Sequence, residues 1–478
     1  MKRLDPCRLL AIPFLVALPF LASCDILETI RDGLLVESPE GTLIIGDTIR
    51  LSIERLDGSA PSPSWVRWAS SDETIATVDE TGLVTGTGVG QVEISASAQG
   101  LTATLFLWVW ELAPPFVSVE VGLAHSCGLA EDGRAWCWGA NWDSQLGVPL
   151  VPDRCLPSAP LPCATGALPV LTDARFETLA IGGNHGCGIT SSGVAWCWGA
   201  NESGQLGDGG TTTRWSPEPV AGEHVFRWLA ASQAGTCGIT ELDELLCWGS
   251  SPSVDLEFDD PATAPVGMAT EPRFTAVATA SGHSCALTDE GAIWCWGRND
   301  RGQLGVENGG TTTHPQPVAS VPPLVSLALA RDYTCGLAAD GTAYCWGRND
   351  MGQLGDGTTD DRWEARAVSG EESFASLAVG SSHACAIEED DGRLFCWGQD
   401  RTDFGRGGDP VQASEPLPAA PGLTFTSIAV GDGHTCGVAD TGTTWCWGTN
   451  MFGTLGSGRS NPQPVATPVR VVRRSDLP

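Results

Sequence analysis

Short runs of alternating apolar and polar residues, each bounded by a Gly-containing turn, recur along most of the chain. One example spans residues 285–305, where apolar and small residues alternate on both sides of a turn at residues 288–291. Alternation with a period of two is typical of β-strands, and two such runs joined by a tight turn form a β-hairpin. The pattern therefore predicts an all-β protein built from short antiparallel ribbons.

Each of these ribbons carries two cysteines, and the second cysteine is always followed by Trp-Gly. The two cysteines are ten residues apart, except in the sixth ribbon, where they are eleven apart and the turn (residues 388–392) carries the extra residue. Counting outward from the turn, the cysteines face each other across the hairpin, where Cα atoms are about 4.5–5.5 Å apart. We therefore expect seven cross-strand disulfides. They are Cys127–Cys137, Cys187–Cys197, Cys237–Cys247, Cys285–Cys295, Cys335–Cys345, Cys385–Cys396 and Cys436–Cys446.

The ribbons recur at a nearly constant interval, with second cysteines 60, 50, 48, 50, 51 and 50 residues apart. A unit of ~50 residues with four short strands has the size of a propeller blade. The pattern G-x-x-H-[ST]-C-x-L…G-x-x-W-C-W-G-x-N-x-x-G-Q-L-G resembles the regulator-of-chromosome-condensation repeat, which implies a seven-bladed β-propeller over residues 116–472. The paired cysteines depart from the usual pattern of that family. The first unit carries the motif at Gly122, His125, Ser126, Leu129, Gly133, Trp138, Gly139, Asn141, Gln145, Leu146 and Gly147.

The chain begins with a basic segment, followed by an apolar run at residues 9–21 and a Leu-Ala-Ser-Cys tetrad that ends at Cys24. This order is typical of a secretory signal, and the apolar run is too short to span a bilayer. The tetrad resembles the bacterial lipobox, which implies cleavage before Cys24 and a lipid on its sulfur. The alternative is an ordinary signal peptide in which Cys24 is incidental. We favour a lipoprotein signal over residues 1–23, followed by a tether over residues 24–33.

The cysteine count also indicates export. Of 18 cysteines, Cys7 lies in the signal, Cys24 at the lipid site and fourteen in the ribbons. Cys155 and Cys163, inside a Pro-rich insertion at residues 148–168, form the last pair. No cysteine is left over, as expected in an oxidising compartment. We predict a lipid-anchored, extracytoplasmic protein of the bacterial cell envelope, at the cell surface or in the periplasm.

The formal net charge of the chain is −32. A surface this acidic repels nucleic-acid phosphates and anionic lipid headgroups. We therefore expect no nucleic-acid partner, and contact with a membrane only through the lipid on Cys24. We expect a monomer.

Residues 34–112 contain no cysteine and alternate in runs such as residues 48–53 and 91–96. Several short strands over ~80 residues favour a small β-sandwich. The stretch at residues 66–86 resembles the bacterial Ig-like group 2 domain of surface proteins, which implies a spacer, with an adhesive role as the alternative. The complete fold prediction is all-β, with a small Ig-like β-sandwich followed by a seven-bladed propeller with one cross-strand disulfide per blade.

Two connections complete the predicted domain plan. Residues 113–115, Ala-Pro-Pro, form a stiff linker, and residues 473–478 form a tail. We interpret each Pro-x-Pro-Val stretch, such as residues 217–220, as opening the next blade. The last such segment has no next blade, so we expect it to pair with the first blade and close the ring.

Loops that deviate from the repeat are the first candidates for binding, because binding residues concentrate on loops of rigid scaffolds. The segments are residues 148–168, 250–272 and 399–410. For the first segment we favour binding, because a disulfide preorganises a long loop. For the other two segments we favour neutral drift.

Exposed aromatic residues are the second candidates. Trp215 and Trp363 follow Arg214 and Arg362 at corresponding positions, and Trp142 follows Asn141. Tryptophan and arginine are typical of binding hot spots. The alternative, which we favour, is packing between neighbouring blades, because inter-repeat contacts hold this architecture together.

A His-x-Cys motif occurs in five ribbons and suggests metal ligation. We reject a metal site, because each cysteine already has a disulfide partner and Gly235 and Tyr333 replace histidine in two ribbons. In the family that the repeats resemble, this histidine is structural. The sequence contains no G-x-S-x-G, H-E-x-x-H or phosphate-binding Gly loop. We therefore expect no cofactor and no enzymatic activity.

Three functions fit the predicted fold. We favour a lipid-anchored scaffold that presents propeller loops to an extracytoplasmic protein or glycan. The alternative is an enzyme inhibitor, a use found in a secreted member of the resembled family. The third function, guanine nucleotide exchange, is implied by the resemblance alone and requires a cytosolic GTPase, whereas the signal and disulfides indicate another compartment.

Overall fold

The structure of the protein is a computed structural model that describes residues 28–29, 34–37, 43–55, 59–151, 153–156, 160–250, 261–268, 272–307 and 309–473. The expected signal peptide, Cys24 and residues 474–478 lie outside these residues. The described part contains forty strands and two short 3-10 turns. No helix within it has the length and apolar character needed to cross a membrane.

The first ten strands form the N-terminal β-sandwich. Strands β9 and β10 pair along their length, and alternate residues such as Val92, Ile94 and Val109 point into a dry core. The strands are β1 (Glu28–Thr29), β2 (Leu34–Glu37), β3 (Leu43–Ile44), β4 (Thr48–Arg50), β5 (Ser52–Arg55), β6 (Arg67–Ser70), β7 (Ala76–Val78), β8 (Leu83–Gly86), β9 (Gly90–Ala98) and β10 (Leu101–Leu112), with a 3-10 turn at Pro63–Trp65.

The propeller consists of seven antiparallel sheets with four main strands each, numbered outward from the centre. Blade 1 comprises β11 (Phe116–Val121), β12 (His125–Ala130), β13 (Ala135–Ala140) and β15 (Leu161–Pro169), with β14 (Asp153–Cys155) added at the edge. Blade 2 comprises β16 (Phe176–Ile181), β17 (His185–Thr190), β18 (Ala195–Gly199) and β19 (Arg214–Pro219). Blade 3 comprises β20 (Phe226–Ala231), β21 (Gly235–Thr240), β22 (Leu245–Gly249) and β23 (Ala262–Gly267), and blade 4 comprises β24 (Ala276–Thr279), β25 (His283–Leu287), β26 (Ile293–Gly297) and β27 (Thr312–Pro317).

Blades 5 to 7 repeat the same order. They comprise β28 (Leu324–Leu329), β29 (Tyr333–Ala338), β30 (Ala343–Gly347) and β31 (Arg362–Ala367); β32 (Phe374–Val379), β33 (His383–Glu388), β34 (Leu394–Asp400) and β35 (Val411–Ala419), with a 3-10 turn at Asp403–Gly405; and β36 (Phe425–Val430), β37 (His434–Ala439), β38 (Thr444–Asn450) and β39 (Asn461–Arg470), followed by β40 (Val472–Arg473).

Ring closure differs from the sequence prediction. The Pro-x-Pro-Val stretches form the fourth strand of their own blade, as in β19, where Pro219 pairs with Trp196. Likewise β39 pairs with β38 inside blade 7. Each blade therefore completes itself, and the ring closes because β11 packs side by side against β36 and β37. The loop after the third strand returns the chain alongside that strand, so that Gly199 pairs with Arg214 in blade 2.

The β-sandwich is fixed to the propeller by more than the linker. Strand β40 pairs with the end of β10 and with Ala167 of β15, so one sheet runs from the sandwich into blade 1. Ile44, Trp110 and Val472 form a small buried cluster at this junction. Two ion pairs, Asp47–Arg470 and Glu111–Arg473, cross the same junction.

The predicted cystines are present. The two cysteines of each blade are directly opposed across the second and third strands, with Cα atoms 4.1 Å apart. The Cys155–Cys163 pair joins β14 to β15 with Cα atoms 5.9 Å apart. Eight disulfides indicate an oxidising, extracytoplasmic environment.

We predict that the double variant C335A/C345A lowers the free energy of unfolding by about 2–3 kcal/mol, because the cystine restricts the unfolded chain. Urea unfolding of the chain without residues 1–23 measures this loss. The matched variant C155A/C163A should lower the free energy of global unfolding less, because β14 lies at a blade edge and can separate without unfolding the blade. Equal losses for the two variants would contradict this assignment.

Candidate functional site

The blades are joined through the tryptophan that follows the second cysteine. The indole Nε1 of Trp198 donates to the carbonyl of Gln145 in the preceding blade at 3.0 Å, and Trp346 contacts Gln303 in the same way. The Gly-Gln-Leu-Gly loop of one blade is thus the acceptor for the next blade. At most 1% of each of these indoles is exposed; they are Trp138, Trp198, Trp248, Trp296, Trp346, Trp397 and Trp447.

An asparagine fixes the shape of this acceptor loop. In blade 5 the Oδ1 of Asn349 accepts from the backbone N–H of Leu354 at 2.9 Å, and Leu354 is fully buried. In blade 6 the carboxylate of Asp400 accepts from the N–H of Phe404 at 2.7 Å, and Phe404 is fully buried. Residues 399–410, for which the sequence favoured neutral drift, therefore keep the contact inside the loop, with Asp for Asn and Phe for Leu.

The sequence of blade 3 lacks the Gly-Gln-Leu-Gly motif of the acceptor loop. The Nε1 of Trp296 in blade 4 has no hydrogen-bond partner among the residues that the structure describes. The corresponding segment of blade 3 includes residues 251–260, which lie outside the described residues. Its later part, β23, is the ordinary fourth strand of the blade.

The histidines of the His-x-Cys motif are the next part of the joint. His185 Nε2 lies 2.9 Å from the hydroxyl of Thr236 in the next blade, and that hydroxyl donates to the carbonyl of Gln205. A hydroxyl has one proton, so the histidine must be the donor and carries its proton on Nε2. Among the described residues, no group of His, Cys, Asp or Glu side chains is arranged to hold a metal ion.

The same arrangement of histidine, hydroxyl and carbonyl group closes the ring, and it explains the exceptions at His125 and Tyr333. His434 of blade 7 contacts Ser126 of blade 1 at 2.9 Å. His125 faces Gly186, which has no hydroxyl, and both ring nitrogens of His125 lack a partner in the described part. The blade after Tyr333 has alanine where other blades have the hydroxyl residue. The hydroxyl of Tyr333 donates instead to the backbone carbonyls of Gly380 and His383. In the sequence, the histidine position of each repeat can be compared with the residue that follows the histidine position in the next repeat. That comparison would have revealed the exceptions.

Burial keeps these histidines neutral. Desolvation lowers the pKa of His125 and His283 to about 3, and that of His185 and His434 to about 4. They therefore stay neutral across the ordinary pH range, and His185, His283 and His434 keep their contacts with a hydroxyl of the next blade.

The arginines proposed for binding are held inside their own blades. Arg214 pairs with Asp208 at 2.8 Å, and Arg362 pairs with Asp356 at 2.6 Å. Both ion pairs lie within one blade, so they are not the packing between neighbouring blades that the sequence favoured. Trp215 and Trp363 remain 50% and 36% exposed, but they lie on blades 2 and 5 and do not form one site.

The turns after the first strand and the loops after the third strand lie on one face of the ring, because neighbouring strands are antiparallel. We call this the loop face, and the side with the turns between the second and third strands the hairpin face. On the loop face, Trp142 of blade 1 packs edge-on against Phe452 of blade 7, with ring centroids 4.9 Å apart. This pair lies at the seam between the first and last blades.

The insertion at residues 148–168 is shorter than the sequence suggested, because residues 161–169 form β15, the fourth strand of blade 1. The added part is the segment up to β14, clipped by Cys155–Cys163. Asp153 accepts hydrogen bonds from the backbone and the hydroxyl of Thr165. Leu150 is 70% exposed on this segment.

The first strands of the seven blades surround a central channel of about 640 Å³. The residue opposite the first cysteine of each blade lines this channel, and it is alanine in six blades and Glu120 in blade 1. Sequence analysis missed this residue, although aligning the first strands reveals it. The alanines are Ala180, Ala230, Ala278, Ala328, Ala378 and Ala429.

Desolvation inside the channel raises the pKa of Glu120 to about 7. The side chain is partly exposed to the lumen, so lumen water moderates the cost of its charge. Glu120 is thus an uncompensated acid in an apolar wall.

Acid should destabilise the protein through the buried histidines. Because their folded pKa values lie below the unfolded value of about 6.5, their stabilising contribution is complete above about pH 6.5 and is lost as the pH falls. For H283Q, which cannot titrate, the dependence of the unfolding free energy on pH below about 6 should be shallower by up to about 1.4 kcal/mol per unit. Urea titrations at several pH values measure this, and the exposed variant H314Q should keep the wild-type slope.

Alkali should destabilise the protein through Glu120. The pKa of Glu120 is higher in the folded protein than in the unfolded chain. Its contribution to the unfolding free energy is therefore complete below about pH 4.5 and is lost as the pH rises through about 7. E120Q should therefore exceed the wild type in unfolding free energy by about 1–3 kcal/mol at about pH 8 but not at about pH 5. The exposed variant E241Q serves as the control, and a gain for E120Q that does not change with pH would contradict the expectation.

Comparisons with known proteins support both parts of the fold. Residues 34–104 match the bacterial Ig-like domain (group 2). Two models of the regulator of chromosome condensation (RCC1) repeat together match more than half of the chain. One matches residues 116–145, 176–205, 274–303, 325–353, 374–405 and 425–454, and the other matches residues 192–237, 290–337 and 340–387.

Curated relatives share only part of the chain. The E3 ubiquitin-protein ligase HERC2 of Homo sapiens is 32% identical over 105 residues, which is 22% of this chain and 2% of that protein. The mitochondrial RCC1 domain-containing protein RUG3 of Arabidopsis thaliana is 33% identical over 96 residues, 20% of each chain. The chain thus spans a small fraction of the relatives that it matches.

Solved structures show the same fold at low identity. Human WBSCR16 is 22% identical with a TM-score of 0.62, covering 71% of this chain and 93% of its own. Yeast RCC1 (Prp20), solved with Kap60 bound, is 20% identical with a TM-score of 0.61. The match covers 76% of this chain and 86% of the yeast chain. The chain therefore belongs to the regulator of chromosome condensation (RCC1) repeat family, with a bacterial Ig-like domain (group 2) ahead of its propeller.

Proposed function

We propose that this protein is an extracytoplasmic binding scaffold, held to a bacterial membrane by a lipid on Cys24, that presents the loop face of its propeller to a protein partner. A glycan is the alternative partner. The propeller is the binding element, and the Ig-like domain serves as a spacer. We propose no enzymatic activity and no cofactor.

The clipped segment of blade 1 is the observation that carries this proposal. It is tied by Cys155–Cys163 and by the bonds from Thr165 to Asp153, so a partner would meet a segment that is already ordered. A preorganised loop loses less conformational entropy on binding. Leu150 offers an exposed apolar contact on this segment.

The neighbouring seam adds the kind of side chain that interfaces favour. Trp142 and Phe452 form a partly exposed aromatic pair on the same face, contributed by the first and last blades. Aromatic anchors beside a rigid loop are typical of hot spots in protein interfaces. This combination favours a protein partner over a glycan.

Relatives support binding in general, without naming the partner. Yeast Prp20 was solved with Kap60 bound, and Prp20p from Saccharomyces cerevisiae has been characterised for its binding to Gsp1p and histones. Those partners belong to those proteins. The acidic charge of this chain opposes binding to nucleic acid, and its eight disulfides favour a partner outside the cytoplasm.

An immobilised form of the chain, without residues 1–23 and with C24S, tests the proposal against an envelope extract of the source bacterium. We expect one protein to be retained by the wild type and retention to fall at least about tenfold for L150D, because a buried unpaired charge is costly at an interface. The control is L242D, which places the same charge at a 72% exposed leucine on the hairpin face.

Two results would decide against this assignment. Equal retention by the wild type and L150D would mean that the clipped segment does not bind, and absence of any retained protein would remove the scaffold proposal. If the retained protein is a hydrolase that loses its activity on binding, the protein is instead an inhibitor built on the same face.

A further inference from the structure

We propose that the central channel of the propeller is a second ligand site, which takes a small organic cation, an alkylammonium or arylalkylammonium, against the carboxylate of Glu120. This site is separate from the loop face, and its ligand is of a different chemical class. Ligand binding in the channel does not depend on the binding function of the loops.

The first support is the asymmetry of the ring. Seven equivalent positions face the channel, six of them hold alanine, and one holds a side chain with a carboxylate. The other six blades show that the methyl group of alanine is sufficient for the fold at this position. Structure alone therefore does not require a glutamate in blade 1.

The second support is where the side chain lies. Ala180 and Ala429, on the two blades that flank blade 1, are 8% and 5% exposed, whereas the alanines of blades 3 to 6 are all more exposed. Glu120 itself is half-buried among the residues that line the channel.

The third support is the lack of a partner. No hydrogen bond or ion pair joins the Glu120 carboxylate to any residue of the described part. A carboxylate in an apolar enclosure is costly unless a cation or a donor compensates for it. A cation in the lumen would supply that compensation.

Other charged groups near the channel do not fill this role. Arg227 lines the channel from β20, but it is paired with Asp243 at 2.5 Å and donates to the carbonyl of Phe274. Glu177 of β16 also lines the channel, and it adds negative charge. Arg331 and Asp432 carry opposite charges at the loop-face mouth, where a depression of about 260 Å³ leads inward.

The remaining wall defines the body of the ligand. Val121, Ile181, Leu329, Val379 and Val430 of five blades line the channel beside Glu120. Aliphatic side chains beside the Glu120 carboxylate match a ligand that has an apolar body and one positive end.

Isothermal titration calorimetry with benzylammonium chloride tests the proposal on the mature chain carrying C24S. At about pH 8, where Glu120 is ionised, we expect saturable binding, at least about tenfold weaker for E120Q than for the wild type. Benzyl alcohol, which has the same body without the charge, should bind at least about tenfold more weakly than benzylammonium. E241Q, an exposed glutamate on the hairpin face, should bind as the wild type does.

A second variant separates loss of the site from loss of the fold. E120A completes the ring of seven alanines, so it should fold as well as the wild type and lose the binding. Between about pH 7 and pH 5, the affinity of the wild type should fall by about tenfold per unit, because protonation removes the charge that the ligand contacts. The loop-face variant L150D should bind benzylammonium normally, so failure of the scaffold proposal and failure of this proposal are distinguishable.

Binding by E120A or E120Q with wild-type affinity would overturn the proposal, because the cation would then bind elsewhere. Absence of saturable binding to the wild type at about pH 8 would also overturn it. Equal affinity for benzyl alcohol and benzylammonium would show an apolar channel with no role for the carboxylate.

Discussion

The carbonyl group at the tip of each acceptor loop is the point on which the propeller depends. The Gln205 carbonyl receives the indole N–H of Trp248 and the hydroxyl of Thr236, and His185 then donates to that hydroxyl. Each blade thereby satisfies buried polar groups of the next blade, which would be costly if they were left unpaired. Indole joints of this kind connect five pairs of neighbouring blades among the described residues, and the cystine inside each blade holds the two strands that carry them.

Two of the variable places in the propeller lie outside these joints. The loop face carries one such place, where the clipped segment of blade 1 lies beside the seam. The channel carries another, where a single glutamate replaces an alanine without disturbing any joint. In blade 6 the altered loop keeps its internal hydrogen bond, with Asp400 and Phe404 where other blades have asparagine and leucine.

The junction with the Ig-like domain extends the same rigidity toward the N-terminus. The last described strand, β40, pairs with β10 of the sandwich and with β15 of blade 1, so sandwich and propeller share a sheet. A spacer joined in this way holds the propeller in one orientation relative to the sandwich. This geometry suits a scaffold whose loop face must remain accessible to a partner.

The strands, the seven-fold repeat and the cystines could be predicted from sequence, because they follow from local rules: alternation of period two, turn residues, and cysteines equidistant from a turn. The role of Tyr333, the equivalence of Asp400 to asparagine and the strand that closes each blade were not predicted. Tyr333 contacts residues of the next blade, which are distant in the chain. Asp400 and Phe404 are four residues apart, but the loop that contains them no longer has the repeat motif. Glu120 illustrates the difference best. In sequence it is one glutamate among many acidic residues, and only the closure of the ring places it in the central channel, where desolvation raises its pKa.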